Sequence, residues 1–269
     1  VGSAFALVVM LNKIKSSTVV VFVRDSLILI NSGGVAGILY MLVHVVCGRW
    51  MDKTAYAYLV ALLGLLNVLG VPASAVRTMM ARYVAEHSSE DTVELWVTIV
   101  KRAARKLGLY GGLGLLVWIL ISPFMKQVLA VPTLGAVILL GVIAFFRILH
   151  PVVSGALEGA SRFGWLAATS VGQALARLGL IALVAYYTSS LALAMLALCL
   201  STVIGLAIGY WPFHKVLKQT ASCPELDTRP MYRYFWPGLL AQGGLHFLVN
   251  LDLTLMPRFL AGTDFEAYG

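Results

Sequence analysis

What most constrains this chain is a succession of apolar runs, each about as long as a bilayer is thick. A helix crossing ~30 Å of hydrocarbon needs ~20 mostly apolar residues. Seven stretches meet that requirement, at 26–48, 55–76, 107–124, 128–151, 164–187, 190–213 and 235–257. Of the 269 residues 60% are hydrophobic and only 12% charged, against ~25% charged in a soluble domain, so there is too little charge to coat a water-soluble core. The same balance excludes intrinsic disorder. The runs are rich in Leu, Ala and Gly and lack the dyad alternation of an outer-membrane barrel. The fold class is therefore an all-α polytopic membrane protein. Gly33, Gly37, Gly64, Pro72, Pro151, Gly205 and Pro237 would weaken water-soluble helices, but packed neighbours re-satisfy their backbone in lipid. Cys47 and Cys199 fall in apolar runs and Cys223 in a polar loop, and all three read as free thiols.

Basic residues set the orientation. Lys13, Lys15, Arg24, Arg77, Arg82, Lys101, Arg102, Arg105, Lys106, Arg147, Arg162, Lys215, Lys218, Arg229 and Arg233 flank spans on one side, fifteen in all. Arg49, Lys53, Lys126 and Arg258 flank the other, and Arg177 lies within a span. This excess predicts a cytoplasmic N-terminus. The net charge of +8 then reflects topology and contact with anionic headgroups, and no nucleic-acid partner is expected. Gly2–Leu11 has no basic region before it and does not read as a cleaved signal; the first nine residues read as an upstream extension or a fragment edge. Ser88-Ser89-Glu90-Asp91 reads as a helix N-terminus. Val93, Trp96, Val97, Val100, Ala104 and Leu107 follow at helical spacing, opposite Lys101, Arg102 and Arg105. That pattern predicts an interfacial amphipathic helix on the inner leaflet, feeding the third span.

The first span ends in Arg49-Trp50, with Asp52 and Ala55-Tyr56 beyond it. The seventh ends in Arg258-Phe259, with Asp264 and Ala267-Tyr268 beyond it. Span seven thus repeats span one, and internal duplication is common in transporter folds. The predicted organisation is an N-terminal cytoplasmic segment (1–23), a six-helix transmembrane lobe (24–216), a cytoplasmic linker (217–234) and the first helix of a second lobe (235–269), with the chain cut off just inside its second half.

Several segments match one family in order and spacing. Gly70-Val71-Pro72 followed by Arg82-Tyr83-Val84-Ala85-Glu86, the turn Gly155–Gly164, and Asn250-Leu251-Asp252 with Arg258-Phe259-Leu260 and Ala267-Tyr268-Gly269 together resemble polysaccharide-repeat-unit flippases of the multidrug/oligosaccharidyl-lipid/polysaccharide (MOP) superfamily. The resemblance implies a MATE-like fold, half present: an N-terminal six-helix bundle plus the first helix of a second. It implies a flippase moving an undecaprenyl-pyrophosphate-linked oligosaccharide, or a polysaccharide exporter, by alternating access between two lobes. Its partners would be that lipid-linked substrate, the surrounding membrane lipids, and a glycan polymerase or glycosyltransferases of the same pathway. No cofactor is expected. A cation-coupled multidrug exporter of the same superfamily and a non-transporting membrane scaffold are the alternatives.

Charge at membrane depth costs ~2.5–3.5 kcal/mol on insertion scales, so polar residues inside the spans need a reason. Ser170, Gln173 and Arg177 share one stripe of the fifth span. Arg147, His150, Ser154 and Glu158 share one on the fourth, and Gln242, His246 and Asn250 one on the seventh; Arg24 and Asn31 lie on the first. Asp252 is about 200° around the helix from Asn250. If the family resemblance holds, Arg177, helped by Arg147 and Arg24, attracts the pyrophosphate, because the arginine fork matches phosphate oxygens. Gln173, Gln242 and Asn250 then bond sugar hydroxyls, and Asp252, Glu158 and His246 serve ion coupling or charge pairing. The alternative is that these groups pair across helix contacts or snorkel to the interface. His44, His150 and His246 lack metal-ligand spacing. Tyr186, Tyr187, Trp118 and Trp211 read as interfacial belt aromatics. The short outer loops hold no His with a nearby carboxylate, and there is no Walker A sequence, so neither an enzyme nor ATP-driven transport is expected.

Overall fold

The structure, a computed structural model, describes residues 2–86, 93–214 and 239–240. It is helical throughout: α1 (Gly2–Trp50), α2 (Lys53–Leu69), α3 (Val71–Glu86), α4 (Val93–Val128), α5 (Leu134–Gly159), α6 (Phe163–Tyr187) and α7 (Leu191–Tyr210), closed by a 3-10 turn at Trp211–Phe213. Five helices are long and apolar enough to cross a membrane, and α2 with α3, bent by 43°, adds a sixth when the bent pair is counted as one span. Five of the first six spans read from sequence are therefore present as single helices, and the second corresponds to the bent pair. The seventh (235–257) and the helix start at Ser88–Asp91 lie outside the described residues, apart from helical Leu239 and Leu240.

Local chemistry places the breaks. Asp52 caps α2 by accepting from the N–H groups of Thr54 (3.2 Å) and Ala55 (3.3 Å), two of the donors that a helix start leaves unpaired. Pro72 has no N–H for the carbonyl of Val68, and the chain bends there. Pro123 likewise has no N–H for the carbonyl of Ile119, but the buried hydroxyl of Ser122 donates to that oxygen at 2.7 Å, and α4 continues. The ends of α4 and α5 pass through left-handed residues, Ala130 (φ 53°) and Ser161 (φ 54°). Beyond them the N–H of Val131 reaches Lys126 O (3.1 Å) and that of Arg162 reaches Leu157 O (2.8 Å), closing Schellman-type ends at positions that favour glycine.

α5 and α7 form the centre of the lobe. In their most apolar windows 44% and 50% of residues are buried, against 11% for α1 and 6% for α4. α1 packs on α6, α6 on α7, α7 on α5, and α3 and α4 on α5. The outer faces are apolar too (Ile38, Leu116, Leu120 and Leu183 are exposed), as lipid-facing surfaces require. α3 crosses α5 at Gly155 and Gly159. A Cβ at Gly155 would sit 2.5 Å from the Arg77 carbonyl, and one at Gly159 would sit 2.8 Å from Val84 Cβ, so this small-xxx-small spacing sets how closely the backbones approach.

Three expectations are corrected. The segment from Val93 is not a separate helix on the leaflet. α4 is continuous, and Ile99 and Val100 are buried against Tyr83, Val84 and Val152, so its apolar face meets α3 and α5. The fourth span covers Leu134–Gly159 rather than 128–151, because Pro151 is accommodated inside the helix. Arg147 therefore lies near mid-span, not at an end. Trp118 is not a belt aromatic. Its Nε1 donates to Val137 O at 2.8 Å, and its ring covers Gly141. α1 is helical from Gly2, joining residues 2–23 to the first span without a break.

Ala130→Gly and Ser161→Gly should each raise the thermal midpoint in detergent by about 2–4 °C, the equivalent of ~1 kcal/mol. Gly159→Leu should lower it by more than that. Differential scanning fluorimetry reads all three.

Candidate functional site

Two apolar clusters fill the lobe. One gathers Val43, Leu59, Leu66, Leu140, Ile143, Ile181 and Leu198; the other gathers Val76, Met80, Val84, Val152, Leu157, Leu166 and Phe213. The polar side chains of the spans fall between them along every helix concerned. Arg147 and His150 lie between Ile143 and Val152 on α5. Gln173 and Arg177 lie between Leu166 and Ile181 on α6. Asn67 follows Leu66 at the end of α2, and Ser201 and Thr202 follow Leu198 on α7. The result is a polar waist at the level where α2 bends into α3.

The two mid-span arginines are held differently. Nη1 of Arg147 donates to the Leu66 carbonyl at 3.1 Å and approaches Asn67 Oδ1 at 3.4 Å. Those acceptors belong to the last turn of α2, whose end is the negative pole of the helix dipole. The α2 bend therefore gives the Arg147 cation partners that the bilayer cannot. Arg177 is held otherwise. Its guanidinium carbon lies 4.7 Å from the centre of the Tyr40 ring, a cation–π geometry. Among the described residues its buried Nε meets no hydrogen-bond acceptor. Arg147, His44 and Tyr40 all lie within electrostatic reach of Arg177. His44 Nδ1 stands 3.2 Å from Tyr56 Oη. His150, also within reach of Arg147, has a buried Nε2 without a partner among the described residues.

The carboxylates among the described residues lie elsewhere. Glu158 accepts from Arg77 Nε at 2.9 Å, Asp25 pairs with Arg24 at 3.1 Å, Glu86 pairs with Arg82 at 2.9 Å, and Asp52 caps α2. Arg24 is exposed and lies sixteen residues before Tyr40 on α1, roughly 24 Å along the axis, so it is not part of the waist. Gln173 packs over Gly205 of α7, where an added Cβ would meet it at 2.8 Å, and Ser170 Oγ donates to Leu166 O of its own helix. Gln242, His246, Asn250 and Asp252 lie outside the described residues. The structure thus brings Arg177, Arg147 and His150 together with Tyr40, His44, Tyr56 and Asn67, which sequence reasoning left out of the site. Tyr40 and His44 stand at i, i+4 on α1, and that spacing is the signal that could have found them.

No protein-family model and no curated protein matches the sequence. The fold, however, is similar to that of about half the chain of solved transporters of the MOP superfamily. One solved structure that shares it is a MOP superfamily transporter from Pyrococcus furiosus Vc1 (DSM3638), described as having a binding pocket of reverse polarity. The match has a TM-score of 0.60 and 15% identity, and covers 89% of this chain and 54% of that one. Another is a multidrug resistance MATE family transporter of the same superfamily in an outward-facing conformation, with a TM-score of 0.54, 15% identity and the same coverage. The chain therefore spans about half the length of the solved transporters it matches.

The unequal anchoring of the two arginines has a thermal signature. Arg147→Ala should destabilise the lobe by about 1–2 kcal/mol by stripping the end of α2 of its charged donor. Arg177→Met should leave the midpoint unchanged or raise it, because it removes a cation without hydrogen-bonded compensation. Midpoints of the purified variants in one detergent test the contrast.

Proposed function

We propose that this chain is one lobe of an alternating-access membrane transporter whose cargo carries an anionic headgroup, specifically a polyprenyl-pyrophosphate-linked oligosaccharide. The observation that carries the reading is Arg177. It is a cation at the centre of a span, stacked on Tyr40, with a buried Nε that meets no acceptor and with Arg147 within electrostatic reach. A charge held at membrane depth without a counter-ion is expensive, and the expense is offset when a pyrophosphate enters. Arginine keeps its charge at any working pH and offers phosphate oxygens a planar fork of donors. His44, within electrostatic reach of Arg177, and Tyr56, against His44, offer groups suited to sugar hydroxyls, and Gln173 lies one turn before Arg177 on α6. The MATE-type fold supports the transporter class, and a related fold with a pocket of reverse polarity is a precedent for pocket charge varying on this scaffold. In this reading the N-terminus faces the cytoplasm of the inner membrane, and a second lobe completes the cavity with Gln242 and Asn250, while Asp252 and His246 couple an ion. A cation exporter would instead need a carboxylate at the waist, where the described residues place two arginines.

In proteoliposomes containing the polypeptide as the cell makes it, Arg177→Ala should abolish translocation of a fluorescent undecaprenyl-pyrophosphate oligosaccharide, with expression and gel-filtration profile unchanged. Arg177→Lys should retain part of it, since a point charge replaces the fork. Wild-type rates in the alanine variant would overturn the assignment.

A further inference from the structure

A second site, independent of the waist, lies on the other side of α5. α3, α4 and α5 enclose a cavity of about 560 Å³. Glycines open it. An added Cβ at Gly114 would meet nothing within 4 Å, and one at Gly111 would meet the Phe145 ring at 3.1 Å. The walls are apolar (Val76, Met79, Leu107, Leu115, Phe145 and Ile148 among them), and Trp118 closes the far end. Arg102 and Lys106 line the near end, within the first two turns of the third span. Among the described residues no carboxylate pairs with either of them. From Arg102 to Trp118 the cavity follows α4 for roughly 24 Å, so it runs from the interface into the hydrocarbon.

We infer that this cavity is a binding site for an acidic glycerophospholipid, its phosphate on Arg102 and Lys106 and an acyl chain along Leu107, Gly111 and Gly114. Two features select that occupant. Leu109, Leu113, Leu116 and Leu120, the neighbouring α4 positions, are exposed, so the surroundings of the groove are hydrocarbon and what reaches it is dissolved in the bilayer. The charge is confined to one end, at the depth of a headgroup, and basic pockets between transmembrane helices recognise anionic headgroups on that pattern. A zwitterionic lipid fills the apolar length equally well but gains nothing net from the two cations.

Native mass spectrometry of the purified chain, titrated with phosphatidylglycerol and with phosphatidylcholine, tests this. The chain should retain phosphatidylglycerol at roughly thirtyfold lower concentration, as two lysine- or arginine-sized contacts imply. The double variant Arg102→Ala/Lys106→Ala should bring phosphatidylglycerol down to the phosphatidylcholine level. Lys101→Ala/Arg105→Ala, which removes equal charge from residues outside the cavity lining, should keep the preference. Gly114→Leu, which has room to fold, should weaken retention of both lipids. No preference in the wild type, equal loss in the two double variants, or undecaprenyl phosphate displacing phosphatidylglycerol at equal concentration would overturn the proposal. Arg177→Ala should leave lipid retention unchanged, so failure here is distinguishable from failure of the transport reading.

Discussion

A helix broken inside hydrocarbon exposes carbonyls that water cannot reach, and something else must meet them. In this lobe the break between α2 and α3 stands at the level of Arg147, whose guanidinium donates to the last turn of α2. The cation and the bend satisfy each other. α2 keeps a charged donor at its negative end, and Arg147 keeps acceptors that lipid could not offer. Because α5 also carries the crossing with α3 at Gly155 and Gly159, the bend, the central helix and the polar waist form one connected unit.

Against that unit Arg177 stands out. It reaches the same level from α6, yet its partner is an aromatic face and its buried Nε meets nothing. Of two arginines at one depth, one is hydrogen-bonded to the end of α2, while the Nε of the other meets no acceptor among the described residues. This contrast rests on geometry and not on the low-identity likeness, which speaks for the fold alone. The same lobe presents different chemistry on its other side, where the α3–α4–α5 cavity offers a long apolar channel with cations at one end.

Much of this was legible in the residues. Run length and the scarcity of charge located six spans, since the hydrocarbon thickness acts on every helix alike. The central depth of Arg177 followed from its place in an otherwise apolar run. Other features were not legible. The fourth span, read as 128–151, placed Arg147 near a helix end, because the packing that buries Val152–Leu157 of α5 comes from helices distant in sequence. The Val93–Leu107 stripe announced an apolar face but not its partner: its described members Val100, Ala104 and Leu107 pack in one cluster with Tyr83, Val84 and Val152.

The sequence alone therefore determined the solvent, the class of fold and the mid-span depth of Arg177, since these depend on composition summed along one helix. Only the tertiary structure decided which charge is neutralised. That outcome depends on whether another helix brings an acceptor within about 3 Å of a given nitrogen, the reach of a hydrogen bond. The end of α2 does so for Arg147, and no described helix does so for Nε of Arg177.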